Sequence, residues 1–437
     1  MPGEIVTSWG RVMRAEHSCA PMYDRHAPFP SVPGTASVLP FGNGRSYGDV
    51  CLNPGGTLIQ TRALDRFIQF DAATGRLTCE AGVLLSELLD VVVPRGWFLP
   101  VTPGTQYVTV GGAIANDVHG KNHHATGTFG CHVLQLELLR SDNSRQLCSR
   151  DSHESLFAAT VGGLGLTGVI TWAELQLRPV ESPMLDVETI RFRGLDEFFA
   201  LCAESDQQFE YTVAWVDCSQ TGRGLGRGLF MRANHARAEA NGTSSAPGRP
   251  HRVPFSFPAI NRLSVRAFNQ LYYRRQFSRV QRGLQHYRKF FYPLDGVLQW
   301  NRLYGARGFY QYQCVVPMAD AQRVTRALLL EIARSGMGSF LNVLKVFGNA
   351  TSPGMLSFPQ PGVTLALDFA NRGPALETMF GRLDALVAEA GGRLYPAKDG
   401  RMPGSLFRSG YPRWREFAEH IDARFSSGFW RRVMEGG

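Results

Sequence analysis

A chain of 437 residues exceeds one ordinary hydrophobic core and fits two domains of about 200 residues each. Apolar residues make up 44 % and charged residues 19 %, a globular balance that excludes wholesale disorder. The formal charge of +9 suits anionic ligands, nucleic acid or an anionic membrane surface, and does not choose among them. Eight cysteines are scattered with no CxxC spacing, which argues against a structural zinc site or a disulfide framework and favours a reducing compartment.

The N-terminal MPGEIVTSWGRVMRAEH lacks an apolar run after a basic start, so no cleaved signal peptide is expected. No stretch of about 18 apolar residues occurs either, so no spanning helix is expected. The expected location is cytoplasmic, at most peripheral at a membrane surface.

Residues 36–180 read as short β-rich runs punctuated by glycine, YVTVGGAIAND among them. Two helical patterns interrupt these runs. One, LLSELLDVVVPRG, opens at Ser86 and closes at Gly96; the other is DSHESLFAATVGG. The D-A-A-T-G turn at 71–75 predicts a hairpin. The mix is α+β, without a repeating βαβ rhythm. After about residue 182, strand-like VETIRFRG and YTVAWVDCS alternate with the helix-like DEFFALCAESD. From Ala240 to Leu294 there is no Asp or Glu but ten Arg or Lys; a Gly/Ser/Pro-rich loop leads into a basic, aromatic stretch. Ordered alternation then resumes with FYQYQCVVP, a helix from Asp320 to about Gly336, SFLNVLKVFG, VTLALDF and a helix ending near Gly391.

Three glycine runs carry the chemistry. FGNGRSYGD (41–49) lets the backbone approach an anion, yet it is neither a Walker loop nor a GxGxxG fingerprint. PGTQYVTVGGAIANDVHGKN (103–122) and TVGGLGLTGV (160–169) follow. Gln311 and Gln313 alternate on one strand and share a face. Lys345 is flanked by apolar residues and would be costly to bury unpaired, so a substrate phosphate is a natural partner. His119, His123 and His124 have no acidic or cysteine partner at ligand spacing, so no metal is expected.

In this order the motifs resemble the FAD-linked oxidases of the vanillyl-alcohol oxidase superfamily, and within it the decaprenylphosphoryl-ribose 2′-oxidase subfamily. The likeness runs from about residue 38 to 400 and includes QWNRLYG (299–305), YQYQ (310–313), SFLNVLKVFG (339–348) and GGRLYPAKD (391–399). It implies a two-domain α+β fold. Residues 1–182 would form an FAD-binding domain of two lobes. Residues 183–392 would form a substrate domain with an antiparallel sheet, flanking helices and the basic loop 240–294, and 393–437 would return to the FAD domain. It also implies that Gly42, Asn43, Gly44, Arg45, Ser46, Tyr47, Gly48, Gly104, Thr109, Val110, Gly111 and Gly112 wrap the FAD pyrophosphate and ribitol. Asn116, Asp117, Val118 and His119 would run beside the flavin, Ile170 or Val169 near the adenine and Tyr395 beside the ring. With Arg45-Ser46-Tyr47 where some members carry an attaching histidine, the FAD is expected to be non-covalent.

Lys398 matches the family's active-site lysine, and Tyr47 and His119 are further catalytic candidates; the sequence leaves open which residue is the base. Gln311, Gln313, Lys345 and Thr364 are the substrate-side candidates. Thr364 and Ala366 stand where other subfamily members carry Asn and Cys, which puts the identical sugar in doubt. The implied activity is oxidation of the 2′-hydroxyl of a polyprenyl-phosphate-linked pentofuranose to a ketone. An NAD(P)H-dependent short-chain reductase partner would complete the epimerisation. Oxidation of a free sugar, alditol or aldonolactone with oxygen, and a non-catalytic flavin scaffold, are the alternatives. The basic stretch reads as a solvated loop or as a lid touching lipid, with Phe268, Tyr272, Tyr273 and Phe277 entering the interface. It contains no recognisable nucleic-acid module.

Overall fold

The computed structural model describes residues 3–32, 36–237, 248 and 250–435. The opening of the basic loop, 240–247 and 249, lies outside the described residues. Three larger sheets, beside two two-stranded ones, organise the described residues. The first has the order Glu4–Thr7, Arg14–Pro21, Thr57–Gln60, Val38–Phe41, with parallel pairing about Thr57–Gln60. The second is antiparallel in the order Phe67–Asp71, Arg76–Glu80, Val169–Gln176, Val133–Leu139, Arg145–Ser149. The predicted hairpin forms, and the Asp71 carboxylate accepts from the Ala73 N–H at 2.9 Å to close its turn.

The third sheet has eight antiparallel strands, ordered Val280–His286, Met184–Phe192, Gly228–His235, Tyr211–Val216, Asn342–Phe347, Gly362–Ala370, Phe309–Pro317, Arg393–Leu394. Its faces follow from strand alternation. Leu365, Leu367 and Phe369 with Tyr312, Cys314 and Val316 bury against the helices Ala321–Ser335 and Pro374–Glu389, which supply Leu328, Leu329, Ile332, Met379, Phe380 and Leu383. Each such side chain contributes about 1.5–3 kcal/mol on burial, so one charge in this layer, such as Leu329→Asp, would break it. The opposite face turns Thr364, Ala366, Asp368, Gln311 and Gln313 into a cavity.

Two expectations are corrected. YVTVGGAIAND is not a strand: Val110–Ala115 is a helix, because Thr109 Oγ1 accepts from the Gly112 N–H at 3.1 Å and caps it. Gly111 is required for contact rather than for flexibility, since a Cβ there would meet Ala81 at 3.0 Å. Nor is 240–294 a loop throughout. It contains the helix Arg262–Arg274, the edge strand Val280–His286 and the helix Tyr287–Phe291. Asn261 caps the first helix by accepting from the Leu263 and Ser264 N–H groups.

After Leu394 the chain packs back against the first sheet. Arg432 pairs with Asp49 at 2.8 Å and Asp399 at 3.0 Å, joining the last helix, the first glycine loop and the Lys398 turn. Those two carboxylates hold the guanidinium above its ordinary range. All eight cysteines are free thiols, and no helix among the described residues is long and apolar enough to cross a membrane.

Candidate active site

A cavity of about 600 Å³ lies between the polar face of the eight-stranded sheet and the glycine loops. The loops are locked together: a Cβ on Gly42 would lie 2.5 Å from Thr109 Oγ1, and Asn43 Nδ2 donates to the Tyr107 carbonyl at 2.7 Å. Among the described residues no protein acceptor takes the peptide N–H groups of Asn43, Gly44, Arg45 or Ser46. Four successive free donors on a loop with Gly44 at φ 59° form an anion-binding concavity.

The other end is reactive. Tyr47 N–H donates to the Ala397 carbonyl at 3.0 Å, and the Lys398 ammonium sits 3.9 Å from the Tyr47 ring centre. Gln311 Nε2 donates to Asp368 Oδ1 at 2.6 Å and its amide bonds the Tyr47 hydroxyl, while Asp368 Oδ2 has no partner. Burial lowers the Lys398 ammonium and the Asp368 charge opposes that shift; burial likewise raises the Asp368 carboxyl. Both groups line the same cavity, and the Asp368 charge acts on Lys398 through space without an ion pair among the described residues.

His119 lies among the rings of Phe347, Phe358 and Tyr395. Lys345 Nζ donates to its Nδ1 at 2.8 Å and to the Gly120 carbonyl at 2.7 Å. The Gln313 amide joins His119 Nε2 (3.1 Å) to Thr364 Oγ1 (3.3 Å). Burial and the Lys345 charge push His119 well below its usual range, so the ring stays neutral with both nitrogens engaged. Lys345 itself falls to about 7 through burial and the nearby Lys121 and Lys398 charges. It is therefore not buried unpaired: protein acceptors hold it, with one N–H left over.

Gly42–Tyr47, Gly104, Thr109, Gly111, Gly112, Asn116, Val118, His119, Ile170 and Tyr395 line the cavity, as do Gln311, Gln313, Lys345, Thr364 and Lys398. Three expected cofactor residues do not. Val110 is a core side chain with no exposure. Asp117 (φ 39°) turns its carboxylate away, onto Ser352, Ser357 and the Gly130 N–H. Gly48 abuts the lysine turn, where a Cβ would fall 1.7 Å from the Asp399 carbonyl oxygen. Sequence reasoning missed Asp368, although it alternates with Thr364 and Ala366 on one strand, and that period was the available signal. Trp9 and Asp295, also in the lining, carry no local motif, whereas Lys121 belongs to the HGKN end of the second glycine segment.

A family model describing an FAD binding domain matches residues 35–149. Decaprenylphosphoryl-beta-D-ribose oxidase of Mycolicibacterium smegmatis is 37 % identical over 422 residues, covering 92 % of this chain and 90 % of that protein. The chain belongs to that family of FAD-linked oxidases. An uncharacterized protein of Streptomyces coelicolor is 37 % identical over 355 residues, 77 % of this chain and 94 % of its own length. L-gulonolactone oxidase of mouse is 32 % identical over 140 residues, covering 32 % of this chain and 31 % of that protein.

This oxidase is an FAD-dependent oxidoreductase, and its cavity fits the cofactor. The open peptide donors of Asn43–Ser46 suit phosphate oxygens, and the Cβ direction of Gly104, in the same lining, is empty within 4 Å. Asn116 Oδ1 is buried without a partner in the same wall.

Proposed function

We propose that this oxidase converts the 2′-hydroxyl of a polyprenyl-phosphate-linked pentofuranose to a ketone, the first half of an epimerisation that an NAD(P)H-dependent reductase completes. The setting of Lys398 against the Tyr47 ring in one cavity with Asp368 and the glycine loops carries the reading, together with the extended likeness to an oxidase of that substrate. The bound flavin would accept the hydride from the carbinol carbon. The peptide backbone of Gly42–Tyr47, with Thr109, Gly111, Gly112, Asn116 and Tyr395, would hold it without a covalent bond. The first loop carries no histidine, and burial pushes the Cys51 thiol beside it to about 12, leaving it protonated.

The substrate hydroxyl proton would pass to Lys398 Nζ, whose ammonium burial lowers to about 8. Taking that proton would make Lys398 an ammonium, which the Asp368 charge favours. Tyr47 and Gln311 orient the hydroxyl, whereas His119 fixes Lys345 and Gln313 and takes no proton. Gln313, Lys345 and Thr364 then face the sugar.

The surface supports a lipid-linked substrate. The helix Arg262–Arg274 roofs the cavity, with Tyr272 against Trp215 at 4.7 Å. Its outer side exposes Leu263, Phe268 and Leu271 beside Arg262 and Arg266, and Phe255 and Phe277 extend this face. Tyr272 and Tyr273 point inward, against the expectation that they enter the interface; the Tyr273 hydroxyl donates to the Phe192 carbonyl at 3.3 Å. We assign this face to peripheral contact with an anionic membrane. Co-sedimentation with anionic vesicles should fall in Leu271→Glu/Phe277→Glu, and unchanged binding removes the assignment.

Anaerobic mixing with a prenylphosphoryl ribose should bleach the flavin, while free ribose and alditols should not. Bleaching by free sugars or aldonolactones alone would replace the proposal with a soluble-sugar oxidase. No bleaching by any alcohol would leave a flavin-binding scaffold.

A further inference from the structure

The loop that offers four open peptide donors also carries a side chain facing elsewhere. Arg45 leans on Trp9, its guanidinium carbon 4.2 Å from that ring and 5.5 Å from the Tyr107 ring. Among the described residues it forms no salt bridge and no hydrogen bond, and its Nε is sealed from solvent as well. Burial lowers the guanidinium from its ordinary value, and Asp295 opposes that without pairing. The Asp295 carboxylate is taken up by the Gln106 N–H at 2.8 Å and the Thr105 hydroxyl. A guanidinium has five donors in a planar fork, and two aromatic faces satisfy none of them. A half-buried cation in this state fits a site completed by an anionic ligand.

Two phosphates could supply that anion: the cofactor pyrophosphate and a phosphate ester of the substrate. The surroundings favour the second. Trp9 stands edge-on to Trp300 at 6.0 Å, and its carbonyl accepts from Asn301 Nδ2 at 2.9 Å, so the wall behind Arg45 is built by the 293–304 segment of the substrate side. In that wall Gln299 takes a left-handed backbone (φ 58°) and leaves its Oε1 buried without a partner. The peptide N–H groups of Asn43–Ser46 meanwhile remain open for the cofactor phosphates. Tyr47, two positions further along, lies against Lys398.

We propose that Arg45 reads the phosphate ester of the substrate through its guanidinium fork, with Trp9 and Tyr107 holding the fork in place. The substrate class rests on the function proposed above. Arg45 thereby sets specificity: it admits the lipid-phosphate sugar and gives free sugars no counter-charge.

Farnesyl phosphate and farnesol serve as probes, titrated into FAD-loaded wild type, Arg45→Lys and Arg45→Met and read by flavin absorbance. Bound FAD is quantified in each protein. Wild type should prefer farnesyl phosphate. Arg45→Met should lose about 10- to 100-fold of that preference with farnesol affinity and FAD content unchanged. Arg45→Lys, which keeps the charge but not the fork, should lose less, and it carries the test if the methionine variant does not fold. Full preference in both variants overturns the assignment. Loss of FAD with the preference intact gives Arg45 to the cofactor instead. A wild type that does not distinguish the probes sinks the lipid-phosphate reading itself.

Discussion

The Lys398 ammonium lies 3.9 Å from the centre of the Tyr47 ring, and the two residues are fixed through backbone rather than side chains. Tyr47 N–H bonds the Ala397 carbonyl, Gly48 abuts Asp399, and Arg432 clamps Asp399 to Asp49. Segments about 350 residues apart in sequence therefore share one rigid corner.

Lys398→Met should retain FAD and lose substrate-driven flavin reduction by roughly 10²- to 10⁴-fold, the usual range for removing a proton-transfer group. Anaerobic stopped-flow measures it. Reduction at the wild-type rate would take Lys398 out of the mechanism.

Asp368→Asn removes the charge that raises Lys398. The lysine then loses its proton at lower pH, so the rising limb of the flavin-reduction profile should move toward acid. Asp368→Glu should restore it. A lower rate with an unmoved limb would leave Asp368 a purely structural role.

Gly48→Ala places a Cβ 1.7 Å from the Asp399 carbonyl oxygen, which the backbone cannot avoid without displacing the lysine turn. Overpacking of this kind costs roughly 1–3 kcal/mol, so Tm should fall and reduction should slow even with FAD bound. Gly104→Ala is the control, since nothing lies within 4 Å of its added Cβ. Equal behaviour of the two would contradict the packing argument.

Lys345 links stability to pH. The fold lowers it from 10.5 to about 7, so between those values the unfolded chain binds more protons and stability rises with pH. Acidifying from pH 10 to 7 should cost the apoprotein up to about 1.4 kcal/mol per pH unit through this group, levelling off below 7. Urea unfolding of Lys345→Met should show a correspondingly flatter dependence, and identical slopes would refute the linkage.

The amino-acid sequence by itself determined the cofactor loops, the α+β class and the sharing of one face by Gln311 and Gln313. Glycine spacing and strand alternation are local properties. It also marked Lys398, through a motif. Only the tertiary structure decided which groups meet. Asp368 meets Gln311 through their cross-strand register, and Lys345 finds His119 across 226 residues. YVTVGG was misread because its apolar run suits a strand, while Thr109 capping and packing on Ala81 select a helix. Arg45 appeared to be one more loop residue. Its lack of any acceptor among the described residues is a fact about the space around it, which no spacing of residues along the chain records.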